Sequence, residues 1–134
     1  MTKLTAIEGI AETYAGKLKI AGVPTLEALL EKGATPAGRQ DLAAAADISS
    51  KLILEWINLA DLFRIKGIGE EYSDLLEEAG VDTVPELAQR NAANLLAKII
   101  QVNAEKKLVR RVPTLAQVTS WIEQAQALPR IVQY

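Results

Sequence analysis

The chain has no cysteine and no histidine in its 134 residues. The first absence removes disulfides and thiol nucleophiles. The second removes histidine general-base chemistry, and the two together remove the usual zinc ligand sets. No apolar run approaches the roughly 18 residues of a membrane-spanning helix. The opening residues Met1–Glu8 lack the apolar stretch of a secretory signal, so the expected location is cytoplasmic. A formal net charge of −2 leaves no overall cationic field for nucleic acid. Nucleophile-elbow, P-loop and dinucleotide fingerprints are all missing. The acids Glu70, Glu71, Asp74, Glu77 and Glu78 have no partner histidine and no calcium-loop spacing. These gaps predict a non-enzymatic protein with no cofactor and no metal.

What is present is apolar content and an internal repeat. Hydrophobic residues make up 49% of the chain, enough for a real core in one domain or two small ones. Shifted by 58 positions, twelve residues from Leu4 to Leu29 fall on identical residues from Leu62 to Leu87. Among the pairs are Ile7/Ile65, Gly9/Gly67, Ile10/Ile68, Tyr14/Tyr72, Gly22/Gly80 and Thr25/Thr83. Trp56-Ile57 recurs as Trp121-Ile122 at a shift of 65, so the second copy holds about seven extra residues, in the Asn91–Val112 region.

Each copy reads as helices joined by short turns. Tyr14, Leu18 and Ala21, like Tyr72, Leu76 and Ala79, follow helical spacing along one face. Gly22 and Gly80 fit left-handed C-terminal caps. Thr25, Thr35 before Pro36, Ser49 or Ser50, Thr83, Asn91 and Thr114 fit N-caps, with Glu86 completing a capping box on Thr83. Asn103 fits the cap of a short turn over Ala104–Leu108. Apolar stripes are expected at Leu52, Trp56, Leu59 and Phe63, and at Leu115, Val118, Ile122 and Ala125, with Arg130–Tyr134 as a tail. Nothing alternates with the strand period over a useful length. The expected fold is all-α, two copies (1–61 and 62–134) packed as one compact helical unit with the tryptophans as core anchors.

The stretch Ile65-Lys66-Gly67-Ile68-Gly69 organises the second copy, and a polar helix follows it. A tight turn feeding a helix start presents unpaired amides and a positive dipole end, a natural place for an anion. Charge is uneven. Residues 62–97 carry three cations against seven acids; residues 98–134 carry six against two. Four of those six, Lys106, Lys107, Arg110 and Arg111, lie within six residues. Such a run could track a phosphate backbone, or meet the acidic Glu70–Glu78 run within a chain or between subunits.

Ile65-x-Gly67-Ile68-Gly69, followed by Tyr72, Leu76 and Gly80-Val81, resembles the helix-hairpin-helix motif. With both copies, the Trp-Ile pairs and the stretch Lys106-Lys107-Leu108-Val109-Arg110-Arg111-Val112-Pro113, nearly the full length is similar to a bacterial family of tandem helix-hairpin-helix proteins without an assigned function. The resemblance implies sequence-independent binding to the DNA backbone. Hairpin glycine amides and nearby Lys or Arg would hold phosphates: here Gly67, Ile68 and Gly69, flanked by Lys66 and Arg64. The first copy departs from this pattern, with Ala11 for the second glycine and Glu8 for Lys66. Two functions are therefore expected of the chain. One is a DNA-backbone binder using these residues with Lys106, Lys107, Arg110 and Arg111. The other is a self-assembling or protein-interaction scaffold, in which the acidic hairpin face of one copy meets the basic segment of the next.

Overall fold

The computed structural model describes residues 2–7 and 9–134. The fold is all-α: among the described residues there are eight α-helices, one 3-10 turn at Leu4–Ala6 and no β-strand. No described helix is long and apolar enough to cross a membrane. The chain divides into two units, Met1–Asp61 with Arg130–Tyr134, and Leu62–Pro129.

The first unit holds α1 (Glu12–Ile20), α2 (Leu26–Lys32), α3 (Pro36–Ala46) and α4 (Ser50–Leu62), whose last residue opens the second unit. Helices α1 and α2 both pack on α3. The second unit holds α5 (Glu70–Glu78), α6 (Val84–Ala88), α7 (Ala92–Lys106) and α8 (Leu115–Ala127). There α8 packs on α6 and α7, and α5 packs on α7. The paired apolar residues Ile7/Ile65, Ile10/Ile68, Leu18/Leu76, Val23/Val81 and Leu29/Leu87 are all buried, so each copy builds its core from the same positions.

The repeat extends to individual hydrogen bonds. After α1, the Val23 N–H reaches back to the Leu18 carbonyl at 2.8 Å and Gly22 N–H to Lys19 at 3.0 Å. After α5, Val81 bonds Leu76 at 2.8 Å and Gly80 bonds Glu77 at 3.0 Å. This is the Schellman pattern, and it needs a left-handed residue at its centre. Gly22 and Gly80 supply φ of 90° and 95°. The hydroxyls of Thr25, Thr35, Thr83 and Thr114 and the side-chain carbonyl of Asn91 each accept a first-turn amide, as expected. A reciprocal box is formed by Thr114 and Gln117.

The Glu86 carboxyl, expected to box Thr83, instead faces Asp82. Its pKa is raised by partial burial first, then by the hydrogen bond and negative charge of Asp82.

The extra residues of the second copy have a definite place. Helix α7 has 15 residues where α3 has 11. Segment 47–49 precedes α4, whereas the longer 107–114 precedes α8. The basic run lies mostly in this insertion. Asn103 does not cap a separate turn, because α7 continues through it. Its side chain donates to the Val109 carbonyl at 3.1 Å and accepts the Val109 N–H at 3.0 Å.

Two stripes also differ from expectation. Leu115 is 49% exposed in the first turn of α8, and Trp121 takes the inner face with Val118, Ile122 and Ala125. Along the α4 stripe Leu52, and Phe63 just past the helix end, are half-buried, while every residue from Trp56 to Leu62 is buried. Residues 130–134 are not a free tail: Val132 is buried and the segment belongs to the first unit.

The Glu86–Asp82 pair carries a pH signature. A carboxyl whose folded pKa lies above its unfolded one binds more protons folded than unfolded in that window, so stability falls as pH rises through it. Asp82→Asn is expected to raise the thermal midpoint near neutral pH. That advantage should shrink as pH falls through the glutamate range, in melts recorded from pH 4 to 7.

Candidate functional site

The turn before α5 is built from the core outward. Gly67 has φ of 98°, its first-copy twin Gly9 has 97°, and an L side chain is strained at either. A Cβ placed on Gly67 would come within 2.8 Å of Trp121 Nε1, and one on Gly9 within 3.6 Å of Trp56 Nε1. Each indole thus packs on the backbone of its own turn glycine. Tyr72 meets Trp121 at a 53° tilt with ring centres 5.2 Å apart, and Tyr14 meets Trp56 edge-on, at 63° and 5.1 Å. Both tryptophans are 2% exposed, so they anchor the core and offer no ring face to a base.

Helix α8 grips the turn at a second point. Gln124 Oε1 accepts the Lys66 N–H at 2.9 Å, and Gln124 Nε2 donates to the Lys66 carbonyl at 3.2 Å. Ile68 is buried, and its N–H donates to the Ile65 carbonyl at 3.2 Å. Gly69 is the N-cap of α5 in extended conformation, with open space around its Cα and no side-chain cap bond. Of the predicted hairpin amides the Ile68 N–H is thus taken within the turn, and the first turn of α5 has no side-chain cap. Glu70 and Glu71 occupy that turn and are exposed. In the first copy Ala11 takes the N-cap place, again without a side-chain cap. Glu8 lies outside the described residues.

The remaining predicted residues divide into engaged and exposed. Arg64 donates Nη2 to the Pro129 carbonyl at 3.1 Å. Lys106 donates Nζ to Glu78 Oε2 at 2.6 Å, and this bond, then the Glu78 charge, raises its pKa. This is the acidic-to-basic pairing foreseen within one chain. Lys107 closes α7 in the left-handed region, with φ of 52°. Lys66, Lys107, Arg110 and Arg111 are exposed, with no carboxylate partner among the described residues.

Two contacts fix the basic segment against α5. The Lys106–Glu78 pair ties it to the C-terminal end of that helix. At the other end, the Tyr72 hydroxyl donates to the Arg111 carbonyl at 3.1 Å. Tyr72 and Glu78 are about 9 Å apart along the axis, from the rise per residue. The segment thus runs back along α5, bringing Arg111 to the turn end and leaving Lys106 at the far end. The Asn103–Val109 pair holds its middle to α7.

Gln124 was not among the predicted residues. Its signal was present: at the shift of 65 it replaces the apolar Leu59 on an otherwise matched helix face. A separate cleft of about 240 Å³ lies in the first unit, lined by Lys3, Leu4, Thr5, Glu12, Ala15, Lys19 and Pro24. None of the predicted residues lines it. At the matched positions Phe63 replaces Thr5 and Glu77 replaces Lys19, so the second copy does not share this lining.

An all-helical chain of two matched units, with no described cluster of metal-ligating side chains, defines an architecture more than an activity. The chain belongs to the family described as a domain of unknown function, DUF4332, which matches residues 8–128. No curated protein and no solved structure matches it.

The two glycines of the turn should respond differently to a methyl group. Gly67→Ala combines a left-handed backbone with an indole clash and is expected to destabilise by about 2–4 kcal/mol. Gly69→Ala, extended and open, is expected to stay within about 1 kcal/mol of the parent, since the stiffer unfolded chain offsets the poorer cap. Chemical denaturation followed by tryptophan fluorescence separates the two. Equal losses would contradict the role given to Trp121.

Proposed function

We propose that the second unit binds the phosphate backbone of duplex DNA without reading sequence. The observation that supports this reading most is the hydrogen bond from Tyr72 to the Arg111 carbonyl. It draws an inserted, arginine-bearing segment to the turn end of α5, where the first-turn amides lack a side-chain cap. In this reading Lys66, Arg110 and Arg111 supply charge beside the Gly69 end of the helix, and Lys107 extends the track. Arg64, Gly67 and Ile68 shape the turn. The helix-hairpin-helix resemblance points the same way, as an argument from analogy. The head-to-tail scaffold draws less support, because Lys106 and Glu78 already satisfy each other within one chain.

Fluorescence anisotropy with a labelled duplex of about 20 base pairs tests the proposal. Binding is expected at low salt, with a logarithmic salt slope no steeper than about −3.6, the limit for four phosphate contacts. Arg110→Glu with Arg111→Glu should weaken it at least tenfold, whereas Glu70→Gln with Glu71→Gln should strengthen it. Absence of binding at low salt, or indifference to the arginine changes, would overturn the proposal.

A further inference from the structure

Residues 130–134 follow the last helix of the second unit but belong to the first. They adopt no regular secondary structure and are held chiefly through main chain. The Gln133 N–H donates to the Ala34 carbonyl at 2.7 Å, and the Gln133 carbonyl accepts from Arg39 Nη2, also at 2.7 Å. Arg39 is 6% exposed and donates its Nη1 to the Gly33 carbonyl at 2.8 Å. On either side of Gln133 the side chains are read. Val132 is buried, and the Tyr134 hydroxyl donates to Asn58 Oδ1 at 2.8 Å.

These contacts describe a groove for an extended peptide. One residue is bonded through both its N–H and its carbonyl, so its side chain is free to vary. The residue before it is aliphatic and buried, and the residue after it, 53% exposed, meets the groove through its hydroxyl. Vacating the groove would hand the Ala34 carbonyl, Asn58 and one side of the Arg39 guanidinium to water, while Arg39 keeps its bond to the Gly33 carbonyl, and would uncover the apolar surface that Val132 buries. The buried Val132 side chain and the hydrogen bonds to Gln133 and Tyr134 therefore favour an occupant of this pattern.

We propose that this groove is an interaction site for peptides of the pattern aliphatic-any-tyrosine, and that its ligand in trans is residues 130–134 of a second copy of this chain. The bonds are the same whether the segment comes from its own chain or another. The two forms then differ mainly in effective concentration, which for a short connection is of order millimolar. The resident segment wins in dilute solution, and exchange grows when its own hold is weakened or the protein is concentrated.

The test uses the full chain carrying Val132→Asp, which places a charge where the groove buries an aliphatic side chain and so displaces the resident segment. The probe is the fluorescein-labelled pentapeptide Arg-Ile-Val-Gln-Tyr, followed by anisotropy. The variant is expected to bind the peptide at least tenfold more tightly than the parent chain does. Asn58→Ala added to it, or a probe with phenylalanine for the tyrosine, should weaken binding several-fold. Circular dichroism monitors folding, and the milder Val132→Ala with Tyr134→Phe reads the same competition should the aspartate variant unfold. Light scattering of the parent near millimolar concentration should show dimer that Val132→Asp abolishes. Equal peptide binding by parent and variant, indifference to the tyrosine, or a dimer that survives Val132→Asp would overturn the proposal.

Discussion

An indole resting on a glycine is the contact on which both units depend. Trp121 and Trp56 come from the last helix of each copy and pack where Gly67 and Gly9 have no side chain. The contact imposes two demands at one residue. The backbone must be left-handed in both copies, and at Gly67 nothing beyond Cα may project toward the ring, whereas a Cβ on Gly9 would lie 3.6 Å from Trp56, an ordinary contact. Only glycine meets both without strain. The tyrosine one turn into the following helix closes on the same ring, a geometry worth about 0.5–1.5 kcal/mol beyond its buried area. Replacing such a tryptophan by alanine would cost about 3–5 kcal/mol. The turn is therefore an architectural element before it is a binding element. The second glycine position bears this out, since Ala11 takes the place of Gly69 and the first copy keeps its turn.

The copies diverge around this shared centre. In the second, Gln124 adds a clamp on the main chain of Lys66 where the first has Leu59. The second also gains the 107–114 segment, stitched to α7 by Asn103 and to α5 by Tyr72 and Lys106. An insertion tied at three points, with its arginines outward, is an unusual use of length if it serves stability alone. Loop closure would have been simpler with three residues, as in segment 47–49. The first unit gains something different, a groove filled by residues 130–134.

Local chemistry was the legible part of the fold. Caps at Thr25, Thr35, Thr83, Asn91 and Thr114, and left-handed glycines at 22 and 80, depend on residues three to six apart, and the repeat doubled the signal at Thr25/Thr83 and Gly22/Gly80. Apart from the pairing of the acidic and basic runs, seen at Lys106 and Glu78, contacts between distant residues were not legible. Arg39 reads as a solvated arginine in an alanine-rich helix until its partner 94 positions away is known. Asn103 has ordinary capping chemistry, and only the path of Val109 turns it inward. Leu115 has the right spacing for the stripe, but spacing does not mark where the core ends. For the candidate site, the sequence named the exposed cations. It did not separate them from Arg64 and Lys106, because both side chains are engaged by partners brought in by folding.

The charges of the second unit limit any grip on phosphate. Glu70 and Glu71 stabilise α5 by about 0.3–1 kcal/mol each through its dipole, and they stand where an anion would approach. Exposed unit charges about 4 Å apart interact by only about 1 kcal/mol in water. Two such repulsions thus offset roughly half of what the four exposed cations offer. Lys106 stays charged in its pair with Glu78, so that pair is close to neutral from a distance. A net charge of −2 adds no steering field. In the proposed reading a phosphate would be held by short-range geometry at Gly69, Arg110 and Arg111, with salt competing directly. In that reading one such unit would add a weak, sequence-blind contact and is poorly suited to holding DNA by itself.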